Sequence, residues 1–362
     1  MPTREEALAA LRGVAGPDGR TPLPASGAIA GLSVKGDKIY LTLAVAPDQA
    51  RASEPMRAAA EQALKALPGV TAAFVVLTAE RAQQPAEPER PAVAGGPGLD
   101  RVKKIIAVAS GKGGVGKSTT AANLAVALAA LGEKVGLLDA DVFGPSLPLL
   151  FGLSGKPKFA GVGKLLAPFE KYGVKLMSIG FLVPDNQAVV WRGPLVTTAV
   201  RQLLRDVDWG DLDILVIDMP PGTGDVQLTI AQHASLAGAV VVSTPQDLAL
   251  IDARRGVALF NQVRTPILGL FENMSYFLCP HCGGRSEIFA HGGAQAEAEK
   301  LGLRFLGAAP LDIKVREASD SGAPIAAQVP DSPQAAPYFA LARAVREELA
   351  GQTRRAPVIT SD

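Results

Sequence analysis

Residues 111–118 read GKGGVGKS, and no other stretch narrows the fold of this chain so far. The octet fits the pattern G-x-x-x-x-G-K-(S/T). It follows an apolar run at 104–109 and opens a second apolar-periodic run at 118–131. A glycine-rich loop between a buried strand and a helix N-terminus is a phosphate cradle. Gly111, Gly113, Gly114 and Gly116, set around Val115, let consecutive backbone N–H groups turn inward. The helix that starts near Lys117 adds its positive dipole end. Lys117 supplies a mobile cation for the β- and γ-phosphates, and the Ser118 hydroxyl, followed by Thr119, is placed to ligand Mg2+.

Around this loop short apolar strands alternate with helices. Runs at 135–139, 176–180, 214–218, 238–243 and 267–272 read as strands, and runs at 195–204, 251–263 and 334–349 as helices. That alternation predicts an α/β domain over 101–350: a mostly parallel sheet covered by helices on both faces. A chain of 362 residues leaves room for a second unit. Residues 1–80 supply it as a small α/β module. A Thr3/Glu6 capping box opens its first helix, strands follow at 29–34 and 38–45, then a helix at 54–67 and a strand at 70–77. Residues 81–100 are rich in Pro and Gly and read as an extended linker, and 351–362 as a flexible tail.

Carboxylates follow at the strand ends. LLDADVFGPS places Asp139 and Asp141 after one strand, and LVIDMPPGTGD places Asp218 after another. Open α/β sheets present their ligands there. A hydrophobic strand ending in Asp fits a Walker B element, so Ser118, Asp139 and Asp218 are the expected Mg2+ residues. PPGTGD reads as a loop that senses the γ-phosphate. Each Asp also suits a helix cap or a turn. A guanine site calls for Asn-Lys-x-Asp after a late strand; here that strand ends in FENMS, which favours ATP. The string KGGVGKS resembles the deviant Walker A group of P-loop ATPases. That resemblance implies that Lys112 reaches across a dimer interface to the partner's nucleotide, that Asp141 orients the attacking water, and that Asn273 contacts adenine. Lys112, Lys117 and Asp141 are the expected catalytic residues. A solvated Lys112 and a turn Asn273 are the plain alternatives.

The only two cysteines, Cys279 and Cys282, lie in CPHCGG. A disulfide framework needs more cysteines at wider spacing. Two thiolates in one turn converge on one metal centre, and two are half of what a cubane cluster takes. A symmetric dimer sharing one 4Fe–4S cluster on its two-fold axis completes the count. A shared four-cysteine Zn2+ site, a zinc site within one chain that recruits His281 or His291, and a redox dithiol stay open as alternatives.

Taken in order, KGGVGKST, DADVFGPS, WRGP (191–194), DMPPGTGD, STPQ (243–246), ENMS and CPHCGG resemble the Mrp/ApbC family of iron–sulfur cluster carrier ATPases. The likeness covers about 101–350 and extends to GAAPLDIKVREASDSGAPI (307–325). It implies a homodimer that hydrolyses ATP slowly, holds a labile 4Fe–4S cluster and hands it to apo iron–sulfur proteins; the early acidic residues and the lack of an apolar h-region in MPTREEALAALRGV make the cytoplasm the expected location. The 1–80 module resembles the small domain fused to many bacterial members; it has no cysteine, so a ligand role for it is not expected. A regulatory or positioning ATPase like the septum-site and partition groups is the competing function, and a zinc-bridged ATPase dimer without cluster transfer is the third. A net charge of +1 gives no support for a nucleic-acid partner. No run of about 18 apolar residues predicts a membrane span.

Overall fold

The computed structural model describes residues 2–35, 37–45, 53–79, 98–160, 165–182 and 193–354. It divides into two compact units, Met1–Ala92 and Val93–Asp362. The linker expected at 81–100 falls mostly outside the described residues, as do Trp191 and Arg192 of the WRGP motif.

In the first unit, helix α1 (Arg4–Ala10) opens on the expected capping box. Thr3 Oγ1 accepts the Glu6 N–H at 3.2 Å and the Glu6 carboxylate accepts the Thr3 N–H at 2.8 Å. Strands β1 (Ile29–Lys35) and β2 (Lys38–Val45) pair antiparallel; after helix α2 (Glu54–Lys65), β3 (Ala72–Ala79) pairs parallel to β2. The period of two along β2 sends Ile39, Leu41, Leu43 and Val45 into a core with Leu11, Ala60, Leu64 and Val75. Tyr40 and Phe74 stack on the opposite, exposed face with ring centroids 5.2 Å apart.

The second unit runs β4 (Val102–Ala109), α3 (Lys117–Ala130), β5 (Val135–Asp139), α4 (Leu147–Leu150), β6 (Phe169–Lys171), β7 (Val174–Ser178), α5 (Gly193–Arg205) and β8 (Leu212–Asp218). It continues with α6 (Asp225–His233), β9 (Gly238–Ser243), α7 (Asp247–Gln262), β10 (Ile267–Glu272), the short strands β11 (Phe277–Leu278) and β12 (Arg285–Ser286), and α8 (Gly293–Leu301). Strand β13 (Phe305–Ala308) and helices α9 (Ile313–Asp320), α10 (Ile325–Gln328) and α11 (Ala336–Arg354) close it. Eight strands form one sheet in the order β13-β10-β9-β4-β8-β5-β7-β6, parallel throughout except for β6 against β7. Alternate residues of each strand feed opposite cores. Ile106, Val108, Leu137 and Val216 pack with α3 and α11. Ile105, Ala107, Leu138 and Ile217 pack with α5, α6 and the end of α7. Both faces are buried, so the strands read as continuous apolar runs. Helix α3 is rich in alanine and lies between sheet and α11, where small side chains let the layers approach. Helix α11 ends at Arg354 rather than near Leu349 as expected, carrying Gly351 inside it; a single helical glycine costs only about 1 kcal/mol. No helix among the described residues is long and apolar enough to cross a membrane.

Strand β4 fixes the site. Its neighbours are β8 on one side and β9 on the other, and from it the chain builds outward in both directions. The loop after β4 therefore opens at the switch point of the sheet, where a crevice forms between diverging connections.

Candidate functional site

The loop after β4 has the shape of a cradle. Gly114 and Gly116 have φ of +82° and +80°, a left-handed backbone that side-chain-bearing residues avoid. Gly111 is needed for close approach: a Cβ there lies 2.1 Å from the Asp252 backbone of α7. Ser110, Lys112, Gly113, Gly114, Gly116, Lys117, Ser118, Thr119, Asp141 and Pro221 line a cleft of about 210 Å3 over the N-terminus of α3. Most of the expected phosphate residues meet there. Val115 does not: it is buried at 2 % exposure under the loop.

Charge is concentrated beneath the cleft. Lys117 is only 6 % exposed, and its Nζ lies 2.5 Å from Asp218 Oδ1, 3.2 Å from Ser118 Oγ and 4.0 Å from Asp141 Oδ2. Asp218 Oδ2 and Asp141 Oδ1 are buried with no hydrogen-bond partner among the described residues. Burial raises the Asp141 carboxyl above the ordinary aspartate value; Lys117 opposes this and Asp218 adds to it. Two orphaned carboxylate oxygens beside a serine hydroxyl form the hard oxygen donor set that Mg2+ prefers. Ser118 and Asp218 fit the ion.

Asp139, expected at Mg2+, has a different part. It is fully buried and its oxygens are taken by the protein. Oδ1 accepts the Asp141 N–H at 3.0 Å; Oδ2 accepts the N–H groups of Ser146 (3.0 Å) and Leu147 (3.1 Å) and the Ser178 hydroxyl (3.0 Å). It shapes the loop that carries Asp141 and does not line the cleft. Burial, then the neighbouring Asp218 charge, push its carboxyl up to about 7. The loop after Asp218 is tied to the cradle by the Gly222 N–H, which donates to the Ser110 carbonyl at 3.2 Å.

Asn273, expected at adenine, lies below the cradle. Its amide nitrogen donates to the Val115 carbonyl at 2.9 Å, and the residue is 5 % exposed. A Cβ on Gly116 lies 2.1 Å from the same nitrogen, so Gly116 is glycine for space as well as for φ. Lys112 is half-buried at the cleft, and its ammonium has no ion-pair or hydrogen-bond partner among the described residues.

Six residues beyond Asn273 the chain forms the cysteine hairpin. Antiparallel β11 and β12 clamp a turn in which the Cys279 N–H donates to Gly284 O and the Gly283 N–H to Cys279 O, both at 2.9 Å. Gly283 has φ +70°. Both thiols are free, Cys279 half-buried and Cys282 exposed. The N–H of Cys282, then that of His281, and the Cys282 thiol hold the Cys279 thiol below the ordinary cysteine value. Amide hydrogens aimed at sulfur stabilise a thiolate ready for metal. His291 instead lies 2.8 Å from Ser275 Oγ through Nδ1. Among the described residues no three His, Cys, Asp or Glu side chains are gathered for a metal.

Sequence reasoning passed over Ser110, whose hydroxyl donates to the Lys112 carbonyl at 2.9 Å, and Ser178, which holds Asp139. The buried Glu272 and Ser275 stand in the ENMS motif, which carried no role for either of them.

The chain matches two family models. Residues 101–346 match the NUBPL iron-transfer P-loop NTPase, and residues 4–75 an iron-sulfur cluster assembly protein. The Arabidopsis thaliana iron-sulfur protein required for NADH dehydrogenase, mitochondrial, is 56 % identical over 248 residues, 68 % of this chain and 79 % of that protein. An iron-sulfur cluster carrier protein of Synechocystis is 42 % identical over 99 % of this chain and 100 % of its own length. Among solved structures, a nucleotide-binding protein of Archaeoglobus fulgidus in complex with ADP superposes with a TM-score of 0.58 at 42 % identity, covering 67 % of this chain and 94 % of that one. A phosphate cradle on a parallel sheet, a cysteine hairpin just beyond it, and family matches over both units agree: the chain belongs to the iron-transfer P-loop NTPases.

Proposed function

We propose that this protein is an ATP-binding and ATP-hydrolysing carrier that holds a labile 4Fe–4S cluster between two subunits and passes it to apo iron–sulfur proteins in the cytoplasm. The observation that carries the reading is the pair of free thiols on one hairpin turn, with amide hydrogens aimed at Cys279. The chain has no other cysteine, and no further ligands are gathered nearby among the described residues. A tetrathiolate site therefore needs a second copy. Relatives that bear the name iron-sulfur cluster carrier protein support the cargo.

On the nucleotide side the loop N–H groups and Lys117 bind the phosphates. Incoming phosphate oxygens compete with Asp218 for the Lys117 ammonium. Ser118 and Asp218 would hold a Mg2+ ion, which would supply charge neutralisation at the β- and γ-phosphates. Asp141, with one oxygen unpartnered at the cleft, orients the attacking water. Lys112 carries an unpaired ammonium toward the second subunit's nucleotide.

Anaerobic reconstitution with iron and sulfide is expected to give a brown dimer with one cluster per two chains. Mixing wild-type chains with equal Cys279→Ser/Cys282→Ser chains should leave about a quarter of the dimers loaded, because a symmetric shared site needs both subunits. Loading in proportion to wild-type chains, or a colourless zinc-bound dimer, would reject the shared cluster.

A further inference from the structure

This inference rests on the carrier reading and concerns how its two sites communicate. One run of the chain, 273–279, joins the phosphate cradle to the first cysteine. At its start the Asn273 amide is bonded to Val115 O at 2.9 Å and sits so near Gly116 that a Cβ there would lie 2.1 Å from it. A displacement of Val115 or Gly116 on phosphate binding is passed to Asn273, since no gap lies between them to absorb it. At its end Phe277 and Leu278 form the strand that leads into Cys279.

Between these ends the run is stiffened. Met274 has φ +56°, an uncommon left-handed bend for a side-chain-bearing residue. Ser275 is then clamped three ways. Its N–H donates to Ala309 O at 2.9 Å, its hydroxyl donates to Glu272 Oε1 at 2.6 Å, and its oxygen lies 2.8 Å from His291 Nδ1. A hydroxyl has one proton; with that proton donated in the hydrogen bond to Glu272, the contact from His291 is an Nδ1–H donated to Ser275. Glu272 is fully buried and also accepts the N–H groups of Gly292 (3.0 Å) and Ala294 (2.7 Å), which fastens the clamp to α8. Next along, Tyr276 O accepts the Leu311 N–H at 2.7 Å. The Tyr276 ring lies under the Arg285 guanidinium at 4.3 Å, and Arg285 belongs to the returning strand of the cysteine hairpin.

We propose that Ser275 is a positioning residue that makes this run a stiff lever: the nucleotide state of the cradle sets the position of Cys279 and thereby the rate at which the cluster leaves. Without the hydroxyl clamp, movement of Asn273 dies out at the Met274 bend.

The test uses the reconstituted full-length dimer and the apo form of a 4Fe–4S ferredoxin as acceptor. The transfer rate is measured with and without Mg-ATP. In the wild type the two rates should differ about fivefold or more, the lower end of ordinary coupling between sites. Ser275→Ala should load the same iron and sulfide and bind ATP with the same affinity, yet bring the ratio of the two rates close to one. Ser275→Thr, which keeps a hydroxyl, should keep the wild-type ratio. A purely structural role would lower loading or affinity and leave the ratio alone. If Ser275→Ala loads poorly, Met274→Gly, which frees the bend, gives the same reading. A variant ratio equal to that of the wild type, or a wild-type ratio of one, overturns the lever. A wild-type protein that takes up no cluster sinks the carrier reading instead.

Discussion

Lys117→Met removes a charge from the cleft floor and keeps the aliphatic stem. In the nucleotide-free protein this strands Asp218, which is 0 % exposed and otherwise 2.5 Å from the ammonium. Breaking one side of a buried ion pair costs about 3–5 kcal/mol, because the remaining charge stays out of water. A second route bounds the same quantity. A stranded carboxylate can take up a proton, which at about pH 7 costs an ordinary carboxylic acid roughly 4 kcal/mol. The two routes agree on about 3–4 kcal/mol, a fall in Tm of roughly 6–16 °C for a unit of this size. Asp141, 4.0 Å from the same nitrogen, loses a counter-charge too and acts in the same direction. The proton route becomes cheaper as pH falls, so at about pH 5 the loss should shrink to roughly 1–2 kcal/mol. Lys117→Met with Asp218→Asn leaves only the more distant Asp141 without its counter-charge and should recover more than half of the loss at neutral pH. Urea denaturation of the nucleotide-free protein, followed by circular dichroism, reads all three. The reasoning fails if the single variant stays within about 1 kcal/mol of the wild type. It fails equally if its deficit does not diminish at lower pH, or if the double variant is no better than the single.

Two further outcomes follow from the same geometry. Gly116→Ala places a methyl group at φ +80° and 2.1 Å from the Asn273 amide. The backbone term of about 1–2 kcal/mol and the displaced buried amide, about 1–3 kcal/mol, should together cost roughly 2–5 kcal/mol; unchanged denaturation would show that the brace is not rigid. Asp139 binds its proton more tightly folded than unfolded, its carboxyl being pushed from 3.8 up to about 7 by burial and then by Asp218. The sign follows: the folded state holds the extra proton in that window, so stability falls as pH rises through it, by at most about 1.4 kcal/mol per unit. Asp139→Asn should be less stable overall, having lost acceptors for the Asp141–Leu147 loop, but flat across the window; a variant profile parallel to the wild type would refute the assignment.

Local pattern made much of this protein legible. Glycine spacing, a following lysine and an apolar run on each side are features of neighbouring residues, and they located the cradle and the strands at 135–139, 238–243 and 267–272 to the residue. Elements too short to show a period escaped: β6, the two-residue strands β11 and β12, and the single-turn helices α4 and α10. So did α6 and α8, whose nine residues give barely two apolar repeats.

What the residues beside one another fix, the sequence alone determined: a phosphate cradle on an α/β sheet, and two thiols that share one turn. Which strand-end carboxylate keeps an unpartnered oxygen was decided only by the tertiary structure. Asp139 and Asp218 read alike as strand-end acids, but the oxygens of Asp139 are filled by the N–H groups of its own loop and, from beyond that loop, by Ser178, 39 positions away. Asn273 likewise became a brace because Val115, 158 positions away, lies on the neighbouring loop. Such contacts exist only once the parallel strands have closed side by side, and no window of adjacent residues contains both partners.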